Sequence, residues 1–421
     1  MRILMVAHRI PYPPHTGDKS RAFHVARHLG RHHRLTLAFI VDDPEDMPGL
    51  DTLRAEVTPD LEYARVWKRW ATVRGGLALA RGGTLTLGYF GSRALRARIA
   101  ERLARERYDL IYVSSSAMAQ YVPAGLDIPT VMDFVDVDSD KWLQYGRHAR
   151  PPLGWVYGAE GWRLRAYEAS VARWARLCLV TTAAEEALLG SFAPWATTAV
   201  IPNGIDLAQY QPVERPSEEP VVMFTGAMDY LPNVDAVRYF HDEILPRVRA
   251  RVPETRLSIV GLNPSPAVRK LAETPGVIVT GAVPDVRPYY AQAAVCIAPL
   301  RIARGVQNKV IQAMAMGLPV VASGRACQGL TAEAGAHLHV ADDAAAFAER
   351  VVSLLQDPDE RRRLGRRGRA FVEANHAWET SLARLDSRLA RFAPAPPRSA
   401  APAPAGRASE RPAPRPRVSA P

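Results

Sequence analysis

The chain has 421 residues, 48% hydrophobic and 23% charged, a composition typical of globular proteins and a length that predicts two domains. No uncharged apolar stretch reaches the roughly 18 residues of a membrane-spanning helix, and the apolar run at the start is too short for a signal peptide. The three cysteines, Cys178, Cys296 and Cys327, have neither metal nor redox spacing, which favours a reducing compartment.

Continuously apolar runs of strand length alternate with amphipathic helical patterns along the chain, as expected for parallel sheets covered on both faces. The first series of predicted strands is Ile3–Ala7, Leu35–Val41, Leu110–Val113, Thr130–Phe134 and Leu177–Thr181. The second series is Val221–Thr225, Leu257–Val260, Val277–Thr280, Val295–Ala298 and Val320–Ala322. The intervening helical patterns include Lys19–Leu29, Arg93–Arg107, Val306–Met316 and Ala344–Leu355. Two such series predict an α/β fold of two doubly wound, Rossmann-like domains.

A turn signal, Ile201-Pro202-Asn203-Gly204-Ile205-Asp206, separates the two series. We therefore expect a first domain over residues 1–200 and a second domain over residues 201–375. Residues 392–421 are rich in proline, alanine and arginine and show no apolar periodicity, so they are expected to form a disordered tail.

The net charge of +11 is concentrated partly in residues 65–107, where Trp67, Trp70, Tyr89 and Phe90 lie among many arginines. This mixture is typical of a surface that rests on anionic lipid headgroups, but a solvated arginine-rich helix face explains it equally well. Nucleic acid would attract the same charge, but the sequence contains no nucleic-acid-binding motif, so no such partner is expected.

The loop after the first predicted strand is a candidate ligand site, because parallel sheets bind ligands beyond the carboxyl ends of their strands. Gly17 stands in this loop where a helix begins. A glycine there lets backbone approach a ligand, and the unpaired N–H groups of the helix start attract an anion, so Gly17 is a candidate diphosphate contact. His8 and His15 could act as acid–base groups, although solvated loop histidines are common.

Four aspartates follow the strand at residues 130–134, namely Asp133, Asp136, Asp138 and Asp140. If they are buried they cannot all ionise cheaply, so one pKa is expected to be raised or a cation to be held. Asp136-Val137-Asp138 matches the Asp-x-Asp pattern with which some transferases hold a metal-bound sugar nucleotide. A helix cap with acidic residues in its first turn is the alternative.

The segment Ala298–Ala322 predicts a strand, a polar loop and a helix in succession. Gly305 lies at the end of the loop, and Arg304 and Lys309 place two cations beside the start of the helix. A helix N-terminus with neighbouring cations neutralises a diphosphate. Lys309 and Gln312 are three residues apart and share a face that differs from the core-facing stripe.

Asn308–Ala322 resembles the helix-and-strand signature of the second domain of glycosyltransferase family 4, and Pro202–Asp206 resembles that family's interdomain turn. Thr16-Gly17 stands where the family has its first-domain glycine motif. The resemblance covers about residues 1–390 and implies a GT-B fold, in which the domains face each other across a cleft. It also implies that a C-terminal helix, here within 376–391, crosses back to the first domain.

The resemblance implies a hexosyltransferase that uses a nucleotide-diphospho sugar, retains the anomeric configuration and needs no metal or other cofactor. Val131–Trp142 and Gly305–Lys309 are closer still to the sugar transferases of the PEP-CTERM/exosortase system and its exopolysaccharide loci. This subgroup implies a glycan or lipid-linked saccharide as acceptor. It also implies a cytoplasmic protein, peripheral to the inner face of the plasma membrane.

Two glutamates that the family usually carries eight positions apart are replaced here by Arg304 and Gln312. The family's Arg/Lys pair is also missing from the loop at Gly226, so Arg304 or Lys309 is expected to supply that charge. Nucleotide and ribose contacts are therefore expected from Asn308, Gln312 and Gly226, and diphosphate contacts from Gly17, Arg304, Gly305 and Lys309.

A histidine in the family's catalytic loop aligns near Asp136, which makes Asp136 the catalytic candidate. His15, Asp133 and Asp138 are candidates for contact with the acceptor or the sugar. Two other functions stay open at this stage. The chain could be a nucleotide-sugar epimerase of the same fold, or a non-catalytic scaffold subunit of a glycan pathway, since the usual glutamates and cations are absent.

Overall fold

The computed structural model describes residues 1–14, 16–212, 218–303 and 306–393. His15, Arg304, Gly305 and nearly all of the predicted tail lie outside the described residues, so the predictions for them stay predictions. Two parallel sheets carry the rest of the chain, and the two doubly wound domains predicted from the sequence are confirmed.

The first domain is a seven-stranded sheet in the order β3-β2-β1-β4-β5-β6-β7. Its strands are β1 Arg2–Ala7, β2 Arg34–Val41, β3 Leu61–Arg65, β4 Leu110–Ser114, β5 Thr130–Val135, β6 Leu177–Val180 and β7 Thr198–Val200. Its helices are α1 Gly17–His32, α2 Gly49–Glu56, α3 Lys68–Ala80, α4 Leu85–Tyr89, α5 Arg93–Arg105, α6 Asp138–His148, α7 Leu153–Trp174 and α8 Ala183–Phe192, with short 3₁₀ turns at Pro44–Asp46 and Ser116–Tyr121.

The second domain is a six-stranded sheet in the order β10-β9-β8-β11-β12-β13. Its strands are β8 Val221–Thr225, β9 Arg256–Val260, β10 Val277–Val279, β11 Val295–Ala298, β12 Val320–Ala322 and β13 His339–Val340. Its helices are α9 Leu231–Tyr239, α10 Leu245–Arg249, α11 Pro266–Arg269, α12 Arg287–Gln292, α13 Asn308–Ala315, α14 Gly324–Cys327, α15 Ala344–Gln356 and α16 Pro358–Asn375. A π-helical turn, Phe240–Ile244, joins α9 to α10, and a 3₁₀ turn, Lys270–Glu273, follows α11.

Each sheet has a switch point, a place from which successive strands are added in opposite directions along the sheet. In the first sheet this switch point lies between β1 and β4, and in the second sheet it lies between β8 and β11. Ligands of doubly wound sheets bind outside the carboxyl ends of the strands at such points. The loops after β1 and β11, which contain the predicted diphosphate contacts, therefore leave the sheets at the two switch points.

The last helix, α17 Trp378–Leu389, packs against the first domain and is followed by a 3₁₀ turn, Ala390–Phe392. Leu385 and Leu389 are fully buried in the core on the α1 side of the first sheet. The His28 Nε2 atom lies 2.8 Å from the Asp386 carboxylate, and the ring of His24 stacks on Trp378 at a centroid distance of 4.6 Å. This helix corresponds to the crossing helix that the family resemblance implies.

The stacked pair of His24 and Trp378 predicts an acid-sensitive attachment of α17. Burial and then the charge of Arg27 lower the pKa of His24 to about 4. Between pH 6.5 and pH 4 the unfolded chain therefore binds a proton that the folded chain does not, so the free energy of unfolding should fall by at most about 3 kcal/mol as the pH drops. Urea denaturation of the wild type and of His24→Phe across this range measures the effect. Equal pH dependence in the two proteins would contradict it.

Candidate active site

The two predicted helix starts face each other across the gap between the domains. Gly17 is the first residue of α1, and Asn308 is the first residue of α13. A Cβ atom added at Gly17 would lie only 2.8 Å from the Asn308 Nδ2 atom. Both helices therefore direct the unpaired N–H groups of their first turns toward one region, which is the electrostatic arrangement that attracts a diphosphate.

Lys309 follows Asn308 in the first turn of α13, and its amine has few partners that compete for its charge. Its Nζ atom donates a 3.0 Å hydrogen bond to Asn233 Oδ1 and lies 5.0 Å from the centre of the Phe224 ring. No carboxylate of the described residues forms an ion pair with it. Burial lowers the pKa of Lys309 to about 8. A buried cation without an anionic partner gains strongly from an anionic ligand.

The partner of Lys309, Asn233, lies in the first turn of α9, the helix that follows the loop after β8. Asn233 Nδ2 donates to the backbone carbonyl of Ala227 at 2.9 Å, which fixes the direction of its Oδ1 atom. A Cβ atom at Gly226 would lie 2.5 Å from Asn233 Nδ2, so only glycine fits there. Gly226 and Lys309 therefore neighbour the same side chain, that of Asn233, and the nucleotide contact expected from Gly226 stays a prediction.

Gln312 lies one turn further along α13 and is held by two tyrosines. The hydroxyl of Tyr290 donates to Gln312 Oε1 at 3.2 Å, and Gln312 Nε2 donates to the hydroxyl of Tyr210 at 3.0 Å. Each amide atom thus has one protein partner, which leaves one lone pair of Oε1 and one N–H of Nε2 for a further hydrogen bond. Its predicted ribose contact stays a prediction.

Asp133 is buried in an ion pair rather than exposed to the cleft. Its side chain is fully buried, and it accepts bonds of 2.8 and 3.0 Å from the guanidinium of Arg21 and one of 2.5 Å from the hydroxyl of Tyr112. The amide of Val135 adds a fourth bond at 3.2 Å. The predicted contact of Asp133 with acceptor or sugar does not fit this burial, because no oxygen of the carboxylate is left for a ligand.

The backbone at the end of β5 is strained, directly before the catalytic candidate Asp136. Val135 has φ of +66°, a value that β-branched residues very rarely adopt, and the register of β5 shifts between Asp133 and Val135. Strain of this kind concentrates at functional sites. It directs the next residue, Asp136, out of the sheet, where its carboxylate accepts a 2.9 Å bond from the hydroxyl of Thr181.

Asp138 begins helix α6 and has a raised pKa. Burial is the main cause, and the charge of Asp136 adds to it, while Lys141 opposes it. The sequence predicted one raised pKa in this cluster, and this geometry agrees with that prediction. Among the described residues, no three His, Cys, Asp or Glu side chains lie together where they could hold a metal ion. The acidic first turn of α6, with Asp138 and Asp140, matches one part of the helix-cap alternative, but the N-cap residue is Val137 and no side chain caps the helix.

His8 and Asp18 form a hydrogen-bonded pair beside Gly17, and the sequence indicated only His8 as a candidate. His8 follows β1, and its Nε2 atom lies 2.9 Å from the carboxylate of Asp18, the second residue of α1. Burial alone would raise the pKa of Asp18, but the hydrogen bond and charge of His8 outweigh it and hold this pKa far below its usual range. His8 was named as a loop histidine, whereas Asp18 was missed because the loop between them has no periodic pattern.

The gap between the domains contains a cavity of about 150 Å³. It is lined by residues 144, 182, 184 and 185 of the first domain and residues 303, 325, 328 and 329 of the second. A larger cavity of about 380 Å³ lies at the carboxyl ends of β11, β12 and β13 and shares Arg325 and Gln328 with the first. The exposed guanidinium of Arg325 is thus a cleft cation that the sequence analysis missed.

The close approach at Gly17 gives a direct prediction. Gly17→Ala should force the side chain of Asn308 away and weaken binding of UDP or GDP about tenfold, since overpacking of this kind costs roughly 1–3 kcal/mol. Isothermal titration calorimetry measures the change. Gly76→Ala is the matched control, because a Cβ atom at Gly76 meets nothing within 4 Å. Unchanged affinity of Gly17→Ala would show that the two helix starts do not hold the ligand together.

Two family models match the chain. Residues 16–204 match the model described as "Glycosyl transferase 4-like domain", and residues 219–357 match "Glycosyl transferases group 1". The two matches correspond to the first and the second sheet, and together they take in more than three quarters of the chain.

Two curated mannosyltransferases are similar to about half of the chain. A GDP-mannose-dependent monoacylated alpha-(1-6)-phosphatidylinositol monomannoside mannosyltransferase of Corynebacterium glutamicum is 27% identical over 220 residues, which are 47% of this chain and 58% of that protein. A GDP-mannose-dependent alpha-(1-6)-phosphatidylinositol monomannoside mannosyltransferase of Mycolicibacterium smegmatis is 29% identical over 46% of this chain and 56% of that protein. The chain thus spans a little over half the length of these relatives.

Solved structures match over 93% of the chain. Sucrose-phosphate synthase of Thermosynechococcus elongatus superposes with a TM-score of 0.69 at 19% identity over 99% of its own length. HepE of Anabaena, solved in complex with UDP-glucose, superposes with a TM-score of 0.65 at 14% identity over its whole length. At such identities these matches establish the fold. By its two domain matches and its two facing Rossmann-like domains, the chain belongs to the glycosyltransferase family with the GT-B fold.

Proposed function

We propose that the chain transfers a hexose from a nucleotide-diphospho sugar to a glycan or lipid-linked saccharide, with retention of the anomeric configuration. The observation that carries this proposal is the convergence of the two helix starts at Gly17 and Asn308, next to Lys309, whose amine forms no ion pair with a carboxylate of the described residues. Support comes from HepE, whose structures contain UDP and UDP-glucose, and from the mannosyltransferases, which are described as GDP-mannose-dependent.

The diphosphate of the donor would lie between the starts of α1 and α13, with Lys309 at its side. As the bond between the sugar and the phosphate oxygen breaks, negative charge grows on the phosphate. Fixed N–H groups and a cation at that place stabilise this charge more in the transition state than in the ground state, and so they accelerate the reaction. Arg304 and Gly305 are proposed to complete the same site.

In a retaining reaction on one face of the sugar, the departing phosphate can accept the proton of the acceptor hydroxyl. No nucleophile of the protein is then required. Asp136 is proposed to face the reacting sugar, because the strained backbone at Val135 directs it to the carboxyl edge of the first sheet. A contact of His15 or Asp138 with the acceptor is part of the same proposal, as is a reaction without a metal cofactor.

The biological setting is also proposed. The resemblance of residues 131–142 and 305–309 to the PEP-CTERM-associated transferases supports a role in exopolysaccharide biosynthesis and a cytoplasmic protein at the inner face of the plasma membrane. Within the described ranges, no helix combines the length and apolarity needed to cross a bilayer.

A thermal-shift screen with UDP-, GDP-, ADP- and TDP-sugars tests the proposal. A ligand that binds only the folded state raises the unfolding midpoint by mass action, so the responding base and sugar identify the donor. Mass spectrometry then distinguishes the outcomes. Transfer of the sugar to a lipid-linked saccharide supports the proposal, whereas an isomerised sugar nucleotide without acceptor would replace it by an epimerase. Absence of binding to every nucleotide sugar would favour a scaffold subunit.

A further inference from the structure

Two helices of the first domain expose tryptophans and aliphatic residues to solvent. On α3 and its N-cap, Trp67 and Trp70 are 66% and 68% exposed, and Val73 and Leu77 are about half exposed. On α7, Trp155 and Trp162 are 73% and 63% exposed. We call these residues, with Leu153 and Val156, the tryptophan surface. Folded proteins seldom leave so many large apolar side chains together in water without a use for them.

The exposed apolar residues of α3 cannot be buried by a rotation of the helix. Ala71 and Gly75 are the buried residues of this helix and lie one turn apart on its inner face. A Cβ atom at Gly75 would lie 2.9 Å from the carbonyl oxygen of Leu85, so the helix is pressed against α4 along this line. Trp70, Val73 and Leu77, spaced three and four residues apart, therefore share the opposite, outer face.

Helix α7 presents its tryptophans in the same way and is tied to α3. Trp155 and Trp162 are seven residues apart and therefore lie on one face of the helix. Glu160 is fully buried on the other face. Its carboxylate accepts hydrogen bonds from the amides of Leu85 and Thr86 at 2.5 and 2.9 Å. Arg163 donates to the carbonyl of Leu79 at the end of α3, at 2.6 Å. These bonds join both tryptophan rows into one layer of the first domain.

The residues around this surface are mostly basic, although Lys68 pairs with Asp43 at 2.6 Å and Arg165 pairs with Asp140 at 2.9 Å. Segments 65–81 and 147–165 contain nine arginines and lysines and a single acidic residue, the buried Glu160. The guanidinium of Arg165 lies 5.4 Å from the centre of the Trp162 ring. Tryptophan rings flanked by arginines match the boundary between headgroups and acyl chains, where the rings enter the apolar zone and the cations pair with lipid phosphates.

We propose that the tryptophan surface binds the anionic headgroup layer of a membrane and holds the cleft close to a lipid-linked acceptor. The closeness of the cleft to a lipid-linked acceptor rests on the proposed function, whereas the membrane contact does not. Helix α6, which begins at the candidate site with Asp138, packs on α7: the rings of Trp142 and Tyr157 are 5.4 Å apart, and Arg165 binds Asp140 at 2.9 Å. The membrane would thus lie one helix layer from the reaction centre.

Flotation of the full chain with vesicles tests the membrane contact without donor or acceptor. The protein should bind vesicles that contain phosphatidylglycerol, bind pure phosphatidylcholine vesicles at least about tenfold more weakly, and be released by salt. The triple variant Trp70→Ser/Trp155→Ser/Trp162→Ser should lose about tenfold or more of the binding. Ile278→Ser, which removes a 52% exposed apolar residue from the second domain, is the matched control and should bind like the wild type.

The variants also separate the surface from the basic tail. Residues 394–421 contain five arginines and one glutamate, and this tail is identical in the wild type, the triple variant and the control variant. If the triple variant floats as well as the wild type while its circular dichroism is unchanged, the proposal is overturned. It is equally overturned if light scattering shows a dimer of the wild type that the triple variant cannot form, because a second copy would then cover the surface.

Discussion

Replacement of Lys309 by methionine is expected to weaken the binding of UDP or GDP, whichever the chain binds, at least about a hundredfold. Methionine keeps the length of the side chain and its packing on Phe224 but removes the cation beside the two helix starts. A hydrogen bond to a charged group contributes about 1.5–3 kcal/mol, and a hundredfold loss corresponds to about 2.7 kcal/mol. Titration calorimetry with the free nucleoside diphosphates measures the loss.

Lys270→Met is the matched control for this experiment. Lys270 is an exposed lysine in the same domain, outside the loops that leave the switch point, so its loss should leave the affinity unchanged. A similar small effect of both substitutions would mean that the affinity comes from overall charge rather than from the cation at α13. The Lys309 variant would then retain sugar transfer, and the proposed diphosphate site would be misplaced.

The pH dependence of binding follows from the same amine. With burial lowering the pKa of Lys309 to about 8, the free protein loses this proton above pH 8. A bound diphosphate stabilises the protonated form, so binding above pH 8 requires uptake of a proton. The dissociation constant should therefore rise as the pH increases from 8 to 9, approaching about tenfold per pH unit, and Lys309→Met should lack this rise.

Asp133→Ala is expected to lower the free energy of unfolding by about 3–5 kcal/mol. Removal of one partner from a buried ion pair leaves an uncompensated charge, here the fully buried guanidinium of Arg21. Arg21 would keep its bonds to the carbonyl of Ile201 and to Asn203, which do not neutralise it. Urea denaturation, followed through the transition of the first domain, measures the loss.

Two further variants make this prediction specific. Asp51→Ala removes an 88% exposed carboxylate that pairs with Arg54 in the same domain, and it should cost less than about 1 kcal/mol. Asp133→Leu combined with Arg21→Met removes both charges and should recover much of the stability. If Asp133→Ala were as stable as the wild type but lost sugar transfer, the carboxylate would be a substrate contact after all.

The fold was predictable from the sequence because its central strands are buried on both faces. The apolar runs at residues 3–7, 110–113 and 295–298 lie in the middle of the sheets and were recognised as strands. The three strands that were missed, Leu61–Arg65, Thr198–Val200 and His339–Val340, lie at sheet edges, and two of them have only two or three residues. An edge strand contacts few neighbours, so its sequence is less apolar and its pattern is weak.

The sequence predicted only those parts of the site that a local motif specifies. Gly17 and Lys309 were found because each stands at a helix start, a feature that neighbouring residues specify. Their surroundings come from distant parts of the chain: Asn233 lies 76 positions before Lys309, and Arg21 lies 112 positions before Asp133. No periodicity specifies such pairs. Asp133 was therefore assigned to the substrate, whereas its partner in the folded chain is an arginine of α1.

The most direct test of the central claim is an NMR titration of the lysine side-chain amines. The chain contains five lysines, and comparison with Lys309→Met assigns the signal of Lys309. We predict a pKa of about 8 for Lys309 in the free protein and a rise of at least about one unit when saturating UDP or GDP binds between the two helix starts. A nucleotide that binds while the pKa of Lys309 stays at its value in the free protein would contradict the account.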